Sequence, residues 1–86
     1  MPNVAPPTAG GERYFVQVGA FASVNEADAV RAKVALLGVS MVLSPRDRDG
    51  VILQRVRTLP LAAADAEKLR NNLRSNGIES SLVKVQ

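Results

Sequence analysis

YFVQVGAFASVNEADAVRAKVALLGV, from Tyr14 to Val39, carries the plan of the whole chain. Its opening, Tyr14–Phe21, is rich in the aromatic and β-branched residues that favour a strand. Alternation places Val16 and Val18 on one face and Phe15, Gln17 and Gly19 on the other. Ser23 and Glu26 have the spacing of a capping box, in which each side chain accepts the other residue's backbone N–H. A helix is expected from Val24 to Leu37. Its apolar stripe is Ala27, Val30, Val34 and Leu37, with Glu26, Asp28, Arg31 and Lys33 turned to water. Gly38 supplies the left-handed stop.

A weaker copy of this plan follows. Ser40–Ser44 reads as a second strand stopped by Pro45, and Pro45–Gly50 as a polar hairpin turn with Asp49-Gly50 suited to positive φ. A third strand is expected from Val51 to Thr58, with Ile52 and Val56 on one face and Leu53, Arg55 and Arg57 on the other. Gln54 interrupts the apolar side. Pro60 ends the pairing. A second helix spans Ala63–Asn76 with the stripe Ala62, Ala66, Leu69 and Leu73, and Gly77 stops it. Its start lacks a side-chain cap, leaving Asp65 to favour the first turn. Ser80–Val85 is the last strand, with Val83 and Val85 on one side and Leu82 and Lys84 on the other.

Subtraction shows that the two halves are repeats. Val16–Val56 and Phe21–Leu61 are 40 residues apart. Ala27–Ala66, Val30–Leu69, Val34–Leu73, Gly38–Gly77 and Val39–Ile78 are each 39 apart. Two copies are too few for a solenoid. They suffice for an α+β domain in which two helices cover one face of a four-stranded antiparallel sheet. The order β-α-β-β-α-β with right-handed crossovers gives the ferredoxin-like arrangement, strand order 4-1-3-2, with the first and third strands central. Val16, Val18, Ile52, Val56, Val83 and Val85 are then the sheet's contribution to the core. Gln17, Leu53, Arg55, Arg57, Leu82 and Lys84 face outward on the uncovered side.

Composition bounds the chemistry. Eighty-six residues make one domain, with 47% hydrophobic residues and a net charge of +3. Met1 leads into PNVAPPTAGGE with no apolar segment behind it, so residues 1–12 read as an extended Pro/Gly-rich linker and the folded domain as residues 13–86. A membrane anchor, if the parent protein has one, is expected upstream. The chain has no Cys and no His, which removes thiol and imidazole chemistry and nearly all zinc sites. Glu26, Asp28, Asp47, Asp49, Asp65 and Glu67 fall on turns or outward helix faces, and Ser23 has no base to activate it. A catalytic site, a metal and a cofactor are therefore not expected.

The uncovered face, mixing apolar and hydrogen-bonding side chains, suits a ligand platform; the same residues would serve as an ordinary solvated strand surface. Single-stranded RNA is one alternative, because RRM domains use this fold and stack bases on aromatics of the first and third strands. The third strand here has no aromatic, and only Phe15 is placed to stack. Protein interaction through the same face is another alternative.

Tyr-Phe-Val-Gln-Val-Gly-Ala-Phe, then Ser23 and an Ala-rich helix ending Leu-Leu-Gly, resembles the start of a SPOR domain, and Gln54–Leu61 followed by a helix and Asn-Gly-Ile resembles its second repeat. The resemblance covers Arg13 to Gln86. It implies a non-catalytic module of the bacterial cell envelope that binds peptidoglycan glycan strands stripped of stem peptides and targets its parent protein to the division septum. A Pro-rich arm before such a domain is similar to the arrangement in bacterial division proteins. The implied setting is the periplasm, as a monomeric part of a larger chain held at the inner membrane, with division proteins as further partners and no nucleic acid. Carried over by position, the glycan-binding residues are Gln17, Ala20, Leu53, Arg55 and Leu82, with Phe15, Arg57 and Lys84 as secondary candidates on the same face. In that reading Gln17 meets sugar hydroxyl or acetamido groups, Arg55 meets lactyl carboxylates, and Leu53 and Leu82 pack on apolar sugar faces. Two departures stand out. Leu59-Pro60-Leu61 replaces the family's Gly-Pro-Phe, and Leu53 stands where some members have an aromatic.

Overall fold

The computed structural model describes residues 12–86, so the expected linker lies outside the described residues except for Glu12. In chain order these residues form β1 (Arg13–Phe21), α1 (Val24–Ala35), β2 (Val42–Arg48), β3 (Val51–Arg57), β4 (Leu61–Ala62), α2 (Ala63–Ser75) and β5 (Ser81–Lys84). All strand pairings are antiparallel, and β1 is central, with β3 and β4 as well as β5 for neighbours. β5 pairs with Tyr14–Gln17 along one edge of β1. β4 meets Arg13 and Tyr14 on the other edge, where β3 pairs further along. β4 therefore prolongs β3 past a bend at Thr58–Pro60, and with β5 as the expected fourth strand the sheet keeps the expected order, now β5-β1-β3-β2.

The two halves of the repeat supply matching parts of one core. Val16 and Val56, Ala27 and Ala66, and Val34 and Leu73 are all fully buried. Val30 with Leu69, Phe21 with Leu61, and Val39 with Ile78 pack around them. Burial of each larger apolar side chain contributes roughly 1.5–3 kcal/mol, so this small cluster is the domain's main source of stability. α1 packs against β1, β2 and β3, and α2 against β1, β4 and β5, which leaves the opposite sheet face uncovered.

Local chemistry sets the element ends. Ser23 Oγ accepts the Glu26 N–H at 3.3 Å. The reciprocal bond expected from the capping box, Ser23 N–H to the Glu26 carboxylate, does not form among the described residues, so one half of the box caps α1. That helix ends at Ala35, short of Leu37, and Leu36 is 87% exposed. α2 has no side-chain cap at Ala62, as expected. At its end Gly77, at φ +79°, lets its own N–H reach Arg74 O and the Ile78 N–H reach Leu73 O, the paired bonds of a Schellman stop.

Three expectations about the strands are corrected. β2 does not stop at Pro45 but runs to Arg48, with Pro45 opposite Gln54. β2 is an edge strand, so the missing proline N–H can fall on its unpaired side. The turn is accordingly the two-residue Asp49-Gly50, at φ 54° and 86°, with Asp47 Oδ1 accepting the Gly50 N–H. Ile52 lies near the tip of this hairpin and is 50% exposed rather than core. Finally, β5 is turned over: Leu82 is opposite Val16 and packs on the core, whereas Val83 is opposite Phe15. Val83, and Val85 by alternation, belong to the open side, while Leu82 and Lys84 do not.

The two chain ends of the sheet are tied together at the surface. Glu12 accepts a hydrogen bond from Tyr14 Oη at 3.1 Å and pairs with Lys84 Nζ at 3.2 Å. The Lys84 hydrogen bond, then that from Tyr14 and the Lys84 charge, hold the Glu12 carboxyl below its ordinary pKa. A depressed carboxyl pKa adds stability above the unfolded-state value, lost as pH falls through the folded-state value. The Tyr14 ring signals in NMR are therefore expected to report the Glu12 carboxyl protonating below its ordinary pKa, and to stay flat there in Glu12→Gln. A flat wild-type profile refutes the tie.

Candidate functional site

The uncovered face is assembled by register rather than by sequence proximity. Residues directly opposite in antiparallel strands share a face. Gln17 is opposite Arg57 and Ala20 is opposite Arg55, and both arginines stand on one side of β3. Gln17 and Ala20, three apart, would fall on opposite faces of a regular strand. They share one because the register slips between Gln17 and Gly19, where Val18 is the extra residue of a β-bulge. Past the bulge Gly19 and Phe21 turn to the core side. A Cβ on Gly19 would lie 2.8 Å from Phe21 Cζ, so the absent side chain is what lets the Phe21 ring fold back over the strand.

The structure thus brings Phe15, Gln17, Ala20, Leu53, Arg55 and Arg57 together. Leu82 and Lys84 stand apart from them, Leu82 on the core and Lys84 with Glu12. The repeat offset contained the signal for this: Leu43, 39 residues before Leu82, is opposite the buried Val56 and also packs on the core. The same register adds residues the sequence reading missed. Val42 is opposite Arg57, Ser44 opposite Arg55 and Arg46 opposite Leu53. Ser81 is opposite Gln17, and Val83 opposite Phe15. Had the turn been taken as Asp49-Gly50 alone, counting back from it would have paired Ser44 with Arg55.

Side-chain contacts divide this face in two. On the β2–β3 side, Arg55 donates from Nε to Ser44 O at 3.3 Å and from Nη2 to Ser44 Oγ at 2.9 Å. Arg57 donates from Nη2 to the same Oγ at 3.2 Å, while its guanidinium carbon lies 3.7 Å from the Phe15 ring centroid. Burial, and then the neighbouring Arg55 charge, hold the Arg57 pKa below its ordinary value; the group remains a cation. No acidic residue is registered on this face. On the β1–β5 side the character is amide, hydroxyl and apolar, from Gln17, Ser81 and Val83. Where β5 begins, a hollow of about 230 Å³ opens beside Gln17, lined by Val18, Gly19, Glu79, Ser80 and Ser81.

Such a surface can accept hydrogen bonds and anionic charge from an extended polar ligand. Aromatic stacking is not available in the RRM manner, because the only aromatic on the face, Phe15, already carries Arg57. Among the described residues no group of His, Cys, Asp and Glu side chains is arranged to hold a metal ion. No helix among them is long and apolar enough to cross a membrane.

Comparison with solved structures gives the same fold. The SPOR domain of RlpA from Pseudomonas aeruginosa superposes with a TM-score of 0.70 at 30% identity, covering 81% of this chain and 96% of that one. The peptidoglycan-binding domain of the B. subtilis cell wall lytic enzyme CwlC superposes at 0.67 with 20% identity, covering 95% of this chain and 100% of that one. A search of curated protein sequences returns no match. The SPOR domain family model matches residues 10–84, through both half-repeats and every strand that builds the open face, and the chain belongs to the SPOR domain family.

Proposed function

We propose that this domain is a non-catalytic module that binds peptidoglycan glycan strands lacking stem peptides, and that it brings its parent protein to the division septum, where such strands accumulate. Family membership supports peptidoglycan binding, and with it a place on the extracytoplasmic side of the cell envelope. The observation that carries the finer reading is the two-sided open face. Arg55 and Arg57 offer charge that no acid on the face neutralises, and removing a stem peptide leaves a free lactyl carboxylate on the strand. Gln17, with Ser81 beside it, offers donors and acceptors to hydroxyl and acetamido groups. Leu53 on β3 and Val83 on β5, the latter in place of Leu82, lie against apolar sugar faces. Each contact is modest, so affinity accumulates over several saccharide units.

The test compares purified sacculi before and after amidase digestion. Wild-type protein is expected to be retained mainly by the digested sacculi. Gln17→Ala is expected to lose about 0.5–1.5 kcal/mol of binding, the worth of one neutral hydrogen bond. Equal retention on both sacculi would sink the stem-peptide discrimination. Tight binding of single-stranded RNA at physiological salt would move the face to a different ligand class. A fluorescent fusion of the parent protein is expected at the septum, and an even distribution around the cell would remove the targeting role.

A further inference from the structure

The function proposed above makes no use of Ser44, yet that residue organises the cationic half of the face. Its Oγ accepts from both guanidiniums, at 2.9 Å and 3.2 Å, and its carbonyl oxygen accepts from Arg55 Nε at 3.3 Å. Two like charges are thereby held side by side on an uncharged hydroxyl. The ion pairs among the described residues join Arg31 to Asp28, Arg70 to Glu67 and Lys84 to Glu12, and none involves Arg55 or Arg57. The Phe15 ring supports Arg57 from below, fixing the plane of its guanidinium. Each guanidinium has five N–H donors. Ser44 takes two from Arg55 and one from Arg57, so most remain free. A pre-formed pair of half-buried cations with spare donors and no counter-ion is relieved most by one anion that both can reach.

Resting on the glycan reading, we infer that Arg55 and Arg57 form a two-guanidinium seat for one carboxylate of the bound strand, and that Ser44 is the positioning residue that holds the seat open before the ligand arrives. Ser44 touches the arginines rather than the carboxylate. Its loss lets the guanidiniums move apart and lowers discrimination for the carboxylate without weakening contacts to the rest of the sugar. Phe15 serves the same end as the platform under Arg57, and its ring face is not offered to the glycan.

The experiment uses strands freed of stem peptides in two forms, native and with lactyl carboxyls converted to methyl amides. Wild-type protein is expected to bind the native form about tenfold more tightly, the scale of one charge-assisted hydrogen-bonded contact. Ser44→Ala is expected to lose most of that preference while binding the amidated form as wild type does, and Arg57→Ala is expected to lose most of it as well. Ser44→Thr, which keeps the hydroxyl, is expected to retain it. The Ser44→Ala melting temperature should fall by no more than about 3 °C, since the lost bonds are only part-buried and lie outside the core. Equal wild-type affinity for both forms overturns the seat and leaves strand binding standing. Full preference in Ser44→Ala overturns the positioning role. Failure of the wild type to bind either form removes the glycan reading itself and the seat with it.

Discussion

Replacing Thr58 by Val is expected to destabilise the domain by about 1–3 kcal/mol, the cost of leaving a buried backbone donor without a partner. Thr58 sits at the bend between β3 and β4 and is itself buried, 5% exposed. Its N–H donates to Val16 O at 3.0 Å, and its Oγ1 accepts the Val16 N–H at 3.1 Å. At this rung a side-chain hydroxyl stands in for the carbonyl that a regular ladder would supply, because the chain turns before the next residue can pair. Val16 is fully buried, so no water replaces the lost acceptor. Val has nearly the shape of Thr and a higher strand preference, which isolates the hydrogen bond from packing. For a domain of this size each kcal/mol lowers the melting temperature by roughly 4–8 °C, so a fall of about 5–20 °C is expected by calorimetry. Thr58→Ser should keep most of the wild-type stability. An unchanged melting temperature in Thr58→Val would show that Val16 N–H finds another acceptor. Measured well below its melting temperature, Thr58→Val should still bind glycan, because Thr58 points away from the open face.

Arg55→Ala is expected to weaken binding to glycan strands freed of stem peptides by about 10–100-fold, the range for hydrogen bonds to a charged group. Arg55 is central among the cations, with Ser44 on one side, Ala20 on the other and Arg57 two residues on. Its removal takes away a charge, two bonds that order Ser44, and the neighbour that shapes the position of Arg57. Arg55→Lys should recover only part of the loss, since an ammonium cannot reproduce the forked contact to Ser44 O and Oγ. Isothermal titration with strands of defined length reads the effect directly. Raising the salt concentration should weaken the wild type more than Arg55→Ala, because the variant has less charge to screen. Wild-type affinity in Arg55→Ala would move the site off the β2–β3 half of the face. The melting temperature is expected to change little, as Arg55 is no part of the core.

Much of this was legible in the residues. The spacing of Ala27, Val30 and Val34, and of Ala66, Leu69 and Leu73, gave both helices and the side on which each buries itself. Ser23, Gly38 and Gly77 marked helix ends because capping and left-handed φ depend on local chemistry. The offset of 39 or 40 residues between the halves made one sheet with two central strands the natural architecture. The residues misread were those whose position depends on a partner. Pro45 looked like a strand end because a proline lacks an N–H, but that lack costs nothing on the unpaired side of an edge strand. Leu82 and Val83 were exchanged because four residues of strand contain no internal mark of which face is which.

The sequence by itself determined both helices, the four longer strands, their order and the repeat, since helix periodicity, caps and turn geometry act within a few residues; the short β4, which resumes pairing with β1 after Pro60, was not legible there. Only the tertiary structure decided which side chains meet on the open face. Side chains alternate with period two, so one extra residue at Val18, or a one-residue shift in how β5 lies on β1, moves everything beyond it to the other side. That parity is set by hydrogen bonds between strands some forty residues or more apart. It is why Gln17 and Ala20 share a face and why Leu82 leaves it.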